Sequence, residues 1–291
     1  MQIILHAGAH ATDEDRLMKT LLRNKQDFLQ RGVLIPGPSK YRRLLRDALH
    51  GLAYAPPTLG ARGILLDAIL EEEEGSRMVL SNDNFFCVPK LAVGPGGLYP
   101  MAEEKLRQFC ALFPEDEIHL FLALRNPATF LPALFNLAPD DDLAAFLSGY
   151  DPMQLRWSDL IERIQGYVPR LKLTVWSNED TPFLWAQIIR AMADLPTGQK
   201  ITGGFDLLTE IMSREGMQRF RAYLKAHPNL NDPQKHRVMA AFLDKYALEG
   251  ALEEELDLPG WDEQLIEDLT EEYDADCGRI AAMEGVRFLS T

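Results

Sequence analysis

The chain has 291 residues, 46% of them hydrophobic and 25% charged, which is the balance of an ordinary globular protein and excludes a disordered one. Its 30 basic and 44 acidic residues give a net charge of −14, which argues against nucleic acid or an anionic membrane surface as a partner, because both need basic patches. The sequence contains no run of membrane-spanning length, no recognisable secretory signal and only three widely spaced cysteines. We therefore expect a cytoplasmic protein with reduced thiols and no membrane partner.

Short apolar strands alternate with helical patterns through the first two thirds of the chain. Strands are predicted at residues 2–6, 33–36, 77–81, 118–124 and 172–176. Helical spacing covers residues 12–31, 41–53, 61–74, 101–112 and 157–168, and residues 89–100 form a Gly/Pro-rich loop. Apolar strands separated by helices predict an α/β fold, with three α/β/α layers around a parallel sheet of about five strands.

No strand is predicted after about residue 197. Residues 205–226, 233–248 and 262–283 have helical spacing interrupted by proline and glycine. We therefore predict an α/β domain over residues 1–198 and a helical C-terminal extension over residues 199–291. The two parts are expected to form one structural unit, because no flexible linker lies near residue 200.

Acidic residues are concentrated near the C-terminus. Residues 253–276 contain twelve acids and no lysine or arginine. The preferred interpretation is a solvated helical face, and the alternative is a docking surface for a basic partner.

The first strand runs into a tight loop and then a helical pattern, an arrangement typical of phosphate binding. Such a loop normally carries a lysine and small residues. Here Ala11 stands at the lysine position, and Asp13, Glu14 and Asp15 follow in the predicted first helical turn. Thr12 is predicted to cap this helix, so that the carboxylates replace a phosphate as the anionic complement of the helix dipole.

The loop resembles the first loop of the bacterial sulfotransferases, which commonly reads H-x-G-x-H-K-T-G-[ST]-[ST]-x-L. The matching positions are His6, Gly8, His10, Thr12 and Leu17. Three later segments also resemble the family. Residues 31–37 resemble its second strand, and residues 79–83 resemble the end of its third strand. Residues 124–127 resemble the segment that binds the 3′-phosphate of the donor. The order and spacing of these pieces over about residues 1–190 carry the resemblance, and the C-terminal third matches only loosely.

The resemblance implies a P-loop sulfotransferase fold and a site for the donor 3′-phosphoadenosine-5′-phosphosulfate (PAPS). It implies that Gly8, His10, Thr12 and Arg125 are vestigial cofactor-binding positions. If the protein is active, His10 and Asp83 are the catalytic candidates.

The departures from the family pattern are at positions that, in the family, contact the donor. Ala11 cannot stabilise the leaving group as the family lysine would, Asp13 replaces a glycine that lets backbone N–H groups approach the phosphate, and Ala133 replaces a serine. A carboxylate ~6 Å from a phosphate charge is repelled by roughly 3 kcal/mol at an effective dielectric constant of ~20. This repulsion exceeds the attraction of a helix end for an anion, which is about 1 kcal/mol.

Three functional hypotheses follow. The favoured one is a sulfotransferase-like protein that has lost PAPS-dependent transfer, needs no cofactor and binds an unknown small molecule or protein. The second is a divergent sulfotransferase, or another nucleotide-dependent transferase, that uses PAPS or another nucleotide through a rebuilt site with Arg125 and His10. The third is an interaction protein that uses its acidic C-terminal helices. A metal site is disfavoured, because the family pattern already accounts for both His6 and His10.

Overall fold

The computed structural model describes residues 1–138, 142–251, 258 and 260–291. Over these residues the chain is an α/β protein whose helices cover a parallel central sheet, and the predicted three-layer α/β/α architecture is confirmed.

The central sheet has six parallel strands in the order β2-β3-β1-β6-β7-β8, and β4 and β5 form a separate antiparallel hairpin. The strands are β1 Gln2–His6, β2 Val33–Leu34, β3 Arg77–Ser81, β4 Val93–Gly94, β5 Gly97–Leu98, β6 Glu117–Leu124, β7 Lys172–Ser177 and β8 Val286–Leu289. Strand β1 lies in the interior of the sheet, with Ile4 opposite Val79 of β3 and His119 of β6. This central position explains why β1 is almost wholly buried and reads as a continuous apolar run.

Helices connect the strands and fill most of the C-terminal third. They are α1 Arg16–Arg23, α2 Lys25–Leu29, α3 Pro38–Gly51, α4 Ala61–Leu70, α5 Ala102–Leu112, α6 Pro127–Leu137, α7 Leu143–Phe146, α8 Trp157–Tyr167, α9 Thr181–Met192, α10 Asp206–Ile211, α11 Arg214–Ala226, α12 Asp232–Tyr246 and α13 Glu263–Ala281. Among the described residues, none of the helices combines the length and the apolar character needed to cross a membrane.

The sheet has a strand at each of the five predicted positions, and β8 adds a sixth. The prediction that no strand follows residue 197 was wrong. Strand β8 pairs in parallel with β7 at the sheet edge, where Arg287 is exposed and only Leu289 is buried. An edge strand needs no continuous apolar run, so the sequence pattern did not reveal it.

Two other predicted elements are divided in the structure. The helix predicted at residues 12–31 begins only at Arg16 and breaks at Asn24, whose side chain binds the backbone of Thr202 through both its amide nitrogen and its oxygen. The loop predicted at residues 89–100 contains a short 3-10 turn and the β4–β5 hairpin. In both places short polar or glycine-rich stretches form local structure that hydrophobic periodicity does not predict.

The buried side chains form two groups. The main core surrounds the sheet and includes residues from the C-terminal helix α13, such as Leu269 and Ile280. A smaller cluster lies within α10, α11, α12 and the adjoining residues, and its buried members are Leu208, Met212, Met217, Phe220, Met239 and Leu243.

Candidate functional site

The residues that the sequence singled out meet at the carboxyl edge of the central sheet. The loop of residues 7–15 follows β1, Asp83 follows β3, and Arg125 follows β6. A Cβ atom on Gly8 would lie 3.3 Å from the Cα of Asp83, and the Arg125 guanidinium donates to the backbone carbonyl of Ala11. Ligands of open α/β sheets bind at this edge, so the candidate site lies where such folds place their sites.

Thr12 does not cap the first helix, and the prediction that it does was wrong. Its hydroxyl donates to the carbonyl of Ala9 at 2.6 Å, and the helix begins four residues later at Arg16. The reason is the backbone conformation, because Ala11, Glu14 and Asp15 have φ angles of 54°, 49° and 62°. These left-handed residues turn the chain away from helical geometry before α1 starts.

A carboxylate nevertheless binds the helix start, as a phosphate would in a nucleotide site. Asp13 Oδ2 accepts a hydrogen bond of 3.1 Å from the backbone N–H of Leu17, and the Asp13 side chain is nearly buried. The Asp13 carbonyl also accepts from the N–H of Arg16 at 2.8 Å. Asp13 therefore supplies the negative charge that complements the N-terminal end of α1.

The backbone of the loop is hydrogen bonded to the protein itself. The N–H groups of Ala7 and Ala9 donate to the carbonyls of Phe121 and Ala123 at 3.2 and 3.3 Å, and the Gly8 carbonyl accepts from the Ala123 N–H at 3.1 Å. The loop thus continues the pairing of β1 with β6 beyond the end of the strand. In a phosphate-binding loop such N–H groups are directed at the ligand, and here these two are already occupied.

Gly8 is required by space and by backbone conformation. Its φ angle is +98°, and an added Cβ would lie 3.2 Å from the backbone nitrogen of His10. Glycine alone adopts this conformation without strain, so the glycine has a structural explanation independent of nucleotide binding.

The ring of His10 is fully engaged in hydrogen bonds with protein groups. Its Nε2 lies 3.1 Å from the carbonyl oxygen of Cys87, which can only accept, so Nε2 carries the proton. Its Nδ1 lies 2.9 Å from the Tyr99 hydroxyl and accepts from it, and the same hydroxyl oxygen accepts from the His10 backbone N–H at 3.0 Å. Burial lowers the pKa of His10 and raises the pKa of Tyr99. Both ring nitrogens of this catalytic candidate are therefore bound to protein groups.

Arg125, the predicted phosphate ligand, is directed at the loop. Besides its contact with the Ala11 carbonyl, its Nε donates to the Thr129 hydroxyl at 3.0 Å, and its side chain is largely buried. The guanidinium therefore contacts the backbone of Ala11, the position at which the resemblance to the sulfotransferases expects a lysine.

Asp83, the other catalytic candidate, lies at the end of β3 and is partly exposed. Its carboxylate accepts from the backbone and side-chain nitrogens of Asn84 at 2.9 and 3.0 Å. His6 lies nearby with its Nδ1 2.9 Å from the Ser81 hydroxyl, and burial lowers the pKa of His6. Its Nε2 has no hydrogen-bond partner among the described residues.

Arg42 also belongs to the candidate site, which it reaches from α3. Its guanidinium lies 2.5 Å from one Asp15 carboxylate oxygen and 3.3 Å from the other, and its Nε donates to the Ser81 carbonyl at 2.9 Å. The bonds from Arg42 lower the pKa of Asp15. In the sequence Arg42 is one of several arginines on a helix, and its position there gives no signal of this contact.

Acidic side chains in the described part of the acidic segment form hydrogen bonds and ion pairs within the protein. The buried carboxylate of Asp276 accepts from the backbone N–H groups of Trp157 and Ser158 at 2.7 and 3.1 Å, and so binds the start of α8. Glu272 pairs with Arg156 at 2.5 Å. Residues 253–257 and 259 of the predicted acidic surface lie outside the described residues.

No set of three or more His, Cys, Asp or Glu side chains within the described ranges is arranged to hold a metal ion. Comparison of the chain with family models, curated proteins and solved structures finds no match. The resemblance to the bacterial sulfotransferases therefore remains a prediction from the residues quoted above.

Proposed function

We propose that this chain is a sulfotransferase-like protein that has lost PAPS binding and sulfuryl transfer, and that it acts by binding a small molecule at the carboxyl edge of its sheet. One observation carries the proposal. The loop that corresponds to the phosphate cradle is filled by the protein's own groups, with the Asp13 carboxylate on the start of α1 and the Arg125 guanidinium on the Ala11 carbonyl.

The charges of the loop also oppose a nucleotide. A donor phosphate would approach the carboxylates of Asp13 and Asp15, and Arg42, which reaches the loop from α3, already pairs with Asp15. Each carboxylate–phosphate repulsion costs roughly 3 kcal/mol at a separation of ~6 Å before solvent screening. Displacing Asp13 would in addition leave the Leu17 N–H without its partner, which costs about 1–3 kcal/mol if no replacement is found.

A binding role also agrees with the hydrogen bonds of His10, one of the two catalytic candidates. A general base must have a nitrogen or oxygen within reach of the substrate proton. Both ring nitrogens of His10 are bound to Tyr99 and Cys87. The engagement of His10 supports a site that holds a molecule rather than one in which this histidine abstracts a proton.

Calorimetric titration with PAPS and with its desulfated product at low ionic strength tests the proposal, because screening is weakest there. We expect no saturable binding tighter than a Kd of about 1 mM, an affinity that corresponds to only ~4 kcal/mol. A micromolar Kd for either nucleotide would overturn the proposal and favour the divergent transferase.

A further inference from the structure

We propose that a cavity beside helix α3 binds a small organic anion that carries one carboxylate on an apolar body. We call this cavity the α3 pocket. This inference rests on the proposed function, since it names the class of molecule that a binding protein of this kind would hold. The α3 pocket has a volume of about 490 Å³ and lies between α3, the segment that follows β3, and the start of α5. This volume is in the range of small-molecule sites.

The interior of the α3 pocket is apolar. Its buried apolar lining residues are Leu5, Tyr41, Leu45, Leu49, Leu80, Phe85 and Phe86. Three further apolar side chains of the lining, Val88, Leu91 and Met101, are about half exposed. Large apolar side chains left in contact with water beside a cavity favour an apolar ligand, because the ligand removes that surface from water.

The charge of the α3 pocket is opposite to the charge of the protein. Its lining includes Arg42, Arg43, Arg46 and Lys105, and no Asp or Glu occurs among the lining residues that the structure describes. The whole chain has a net charge of −14, so four cations around one cavity are a marked local reversal, even with the carboxylates of Asp15 and Asp47 beside them. Cationic groups around a cavity with low-dielectric walls concentrate the field and attract an anion.

Two of the three arginines, Arg43 and Arg46, have an acidic partner that leaves them accessible. Arg43 and Arg46 both contact Asp47, at 3.5 and 3.3 Å, and their side chains are 83% and 70% exposed. An ion pair this exposed contributes little, so a ligand carboxylate competes for these guanidinium groups at small cost. The planar guanidinium binds a carboxylate through two parallel hydrogen bonds, which favours a carboxylate head group.

Three probes that share one eight-carbon body and differ in charge test the assignment, namely octanoate, octanamide and octylammonium. In calorimetric titrations of the full chain at low ionic strength we expect saturable one-to-one binding of octanoate, weaker binding of the neutral octanamide and no binding of octylammonium. Equal affinity for octanoate and octanamide would overturn the anion assignment, and so would the absence of octanoate binding.

Substitutions locate the binding site. We expect Arg46→Gln and Lys105→Gln each to weaken octanoate binding by about fivefold, as expected for loss of one exposed charge contact, and to leave octanamide unchanged. Arg219→Gln is the matched control for the arginine, because Arg219 is similarly exposed, pairs with Glu215 on its own helix and lies outside the α3 pocket. Equal losses in Arg46→Gln and Arg219→Gln would show a general charge effect and contradict the location.

The nucleotide titration separates this inference from the proposed function. If the desulfated product of PAPS binds at micromolar concentration, the proposed function fails whatever octanoate does. If neither the nucleotide nor octanoate binds, only the assignment of the α3 pocket fails.

Discussion

The guanidinium of Arg42 lies 2.5 Å from the carboxylate of Asp15 and joins helix α3 to the loop of residues 7–15. The same side chain lines the α3 pocket, and its Nε donates a hydrogen bond to the carbonyl of Ser81, the last residue of β3. The loop and the α3 pocket share this arginine, so we expect a substitution of Asp15 to alter both the loop and the α3 pocket.

Asp15→Asn tests the strength of this contact. Because Arg42 lowers the pKa of Asp15, the pair stabilises the fold above the ordinary carboxylate pKa, and this contribution is lost as pH falls through the lowered pKa of the folded state. The Asp15 side chain is 47% exposed, so we expect a loss of only about 0.5–1 kcal/mol at pH 7. Denaturant unfolding from pH 7 to pH 3 should show the difference from wild type shrinking as the pH falls. A difference that grows in acid would show that the pair has been misassigned.

Tyr99→Phe should destabilise the site around His10. The substitution removes the hydroxyl that donates to His10 Nδ1 and accepts from the His10 N–H, and both groups are buried. We expect a loss of about 2–3 kcal/mol in the free energy of unfolding, because a buried donor and a buried acceptor lose their partner. The Tyr223→Phe variant is the control, since this ring is 38% exposed and stacks on His227, away from His10. Equal effects of the two substitutions would contradict the role assigned to Tyr99.

The interior of the fold could be predicted from the sequence, whereas its edges and the partners of the loop could not. Strand β1 is apolar throughout because both of its faces are buried, so the sequence reveals it. Strand β8 has one fully buried side chain and gives no such pattern. The loop itself was recognisable from Gly8 and its neighbours, which are close in sequence.

The partners of the loop come from distant parts of the chain. Arg42, Tyr99 and Arg125 contact Asp15, His10 and Ala11 across 27, 89 and 114 residues. These contacts depend on how helices and loops pack on the sheet, which local patterns do not specify. The local capping rule failed at Thr12 for a related reason, because the left-handed residues that delay the helix carry ordinary side chains.

Stability should fall in mild acid because of His119. Burial, followed by the nearby Arg77, lowers the pKa of His119 to about 4 from an ordinary value of 6.5. Between pH 6.5 and pH 4, His119 is therefore protonated in the unfolded chain but neutral in the folded chain. The free energy of unfolding decreases as the pH falls through this range. We expect His119→Gln to reduce the loss of stability between pH 7 and pH 5 by about 1 kcal/mol, allowing for the partial exposure of the ring. An unchanged pH dependence in the variant would contradict the lowered pKa.

Asp276→Asn tests whether the acidic segment stabilises the folded protein. Asp276 accepts from two backbone N–H groups at the start of α8 and from the Ser158 hydroxyl at 2.5 Å. An amide offers one acceptor oxygen in place of two, so we expect a loss of about 2–3 kcal/mol. Asp274→Asn, an exposed neighbour on the same helix, should change stability by less than about 0.5 kcal/mol. If the two variants were equally stable, the acids of α13 would have no structural explanation and the docking hypothesis would gain support.

Replacing Ala11 with lysine alone should not restore nucleotide binding. The new ammonium group would lie in a loop that keeps Asp13, Glu14 and Asp15, and it would pair with these carboxylates rather than with a phosphate. We expect Ala11→Lys to show no sulfuryl transfer above background with PAPS and a simple phenol. Clear turnover by this single variant would mean that the rest of a transferase site is intact.

The most direct test of the central claim compares nucleotide affinity with and without the loop's own charges. A variant with Ala11→Lys, Asp13→Gly, Glu14→Ser and Asp15→Ser removes the carboxylates and supplies a cation and hydroxyl donors. Serine avoids a β-branched side chain at the left-handed positions 14 and 15. Calorimetric titration with the desulfated product of PAPS should show no saturable binding to the wild-type chain or to Ala11→Lys, and saturable binding to the fourfold variant. Equal binding by all three proteins would contradict the claim that the loop excludes a nucleotide with its own carboxylates.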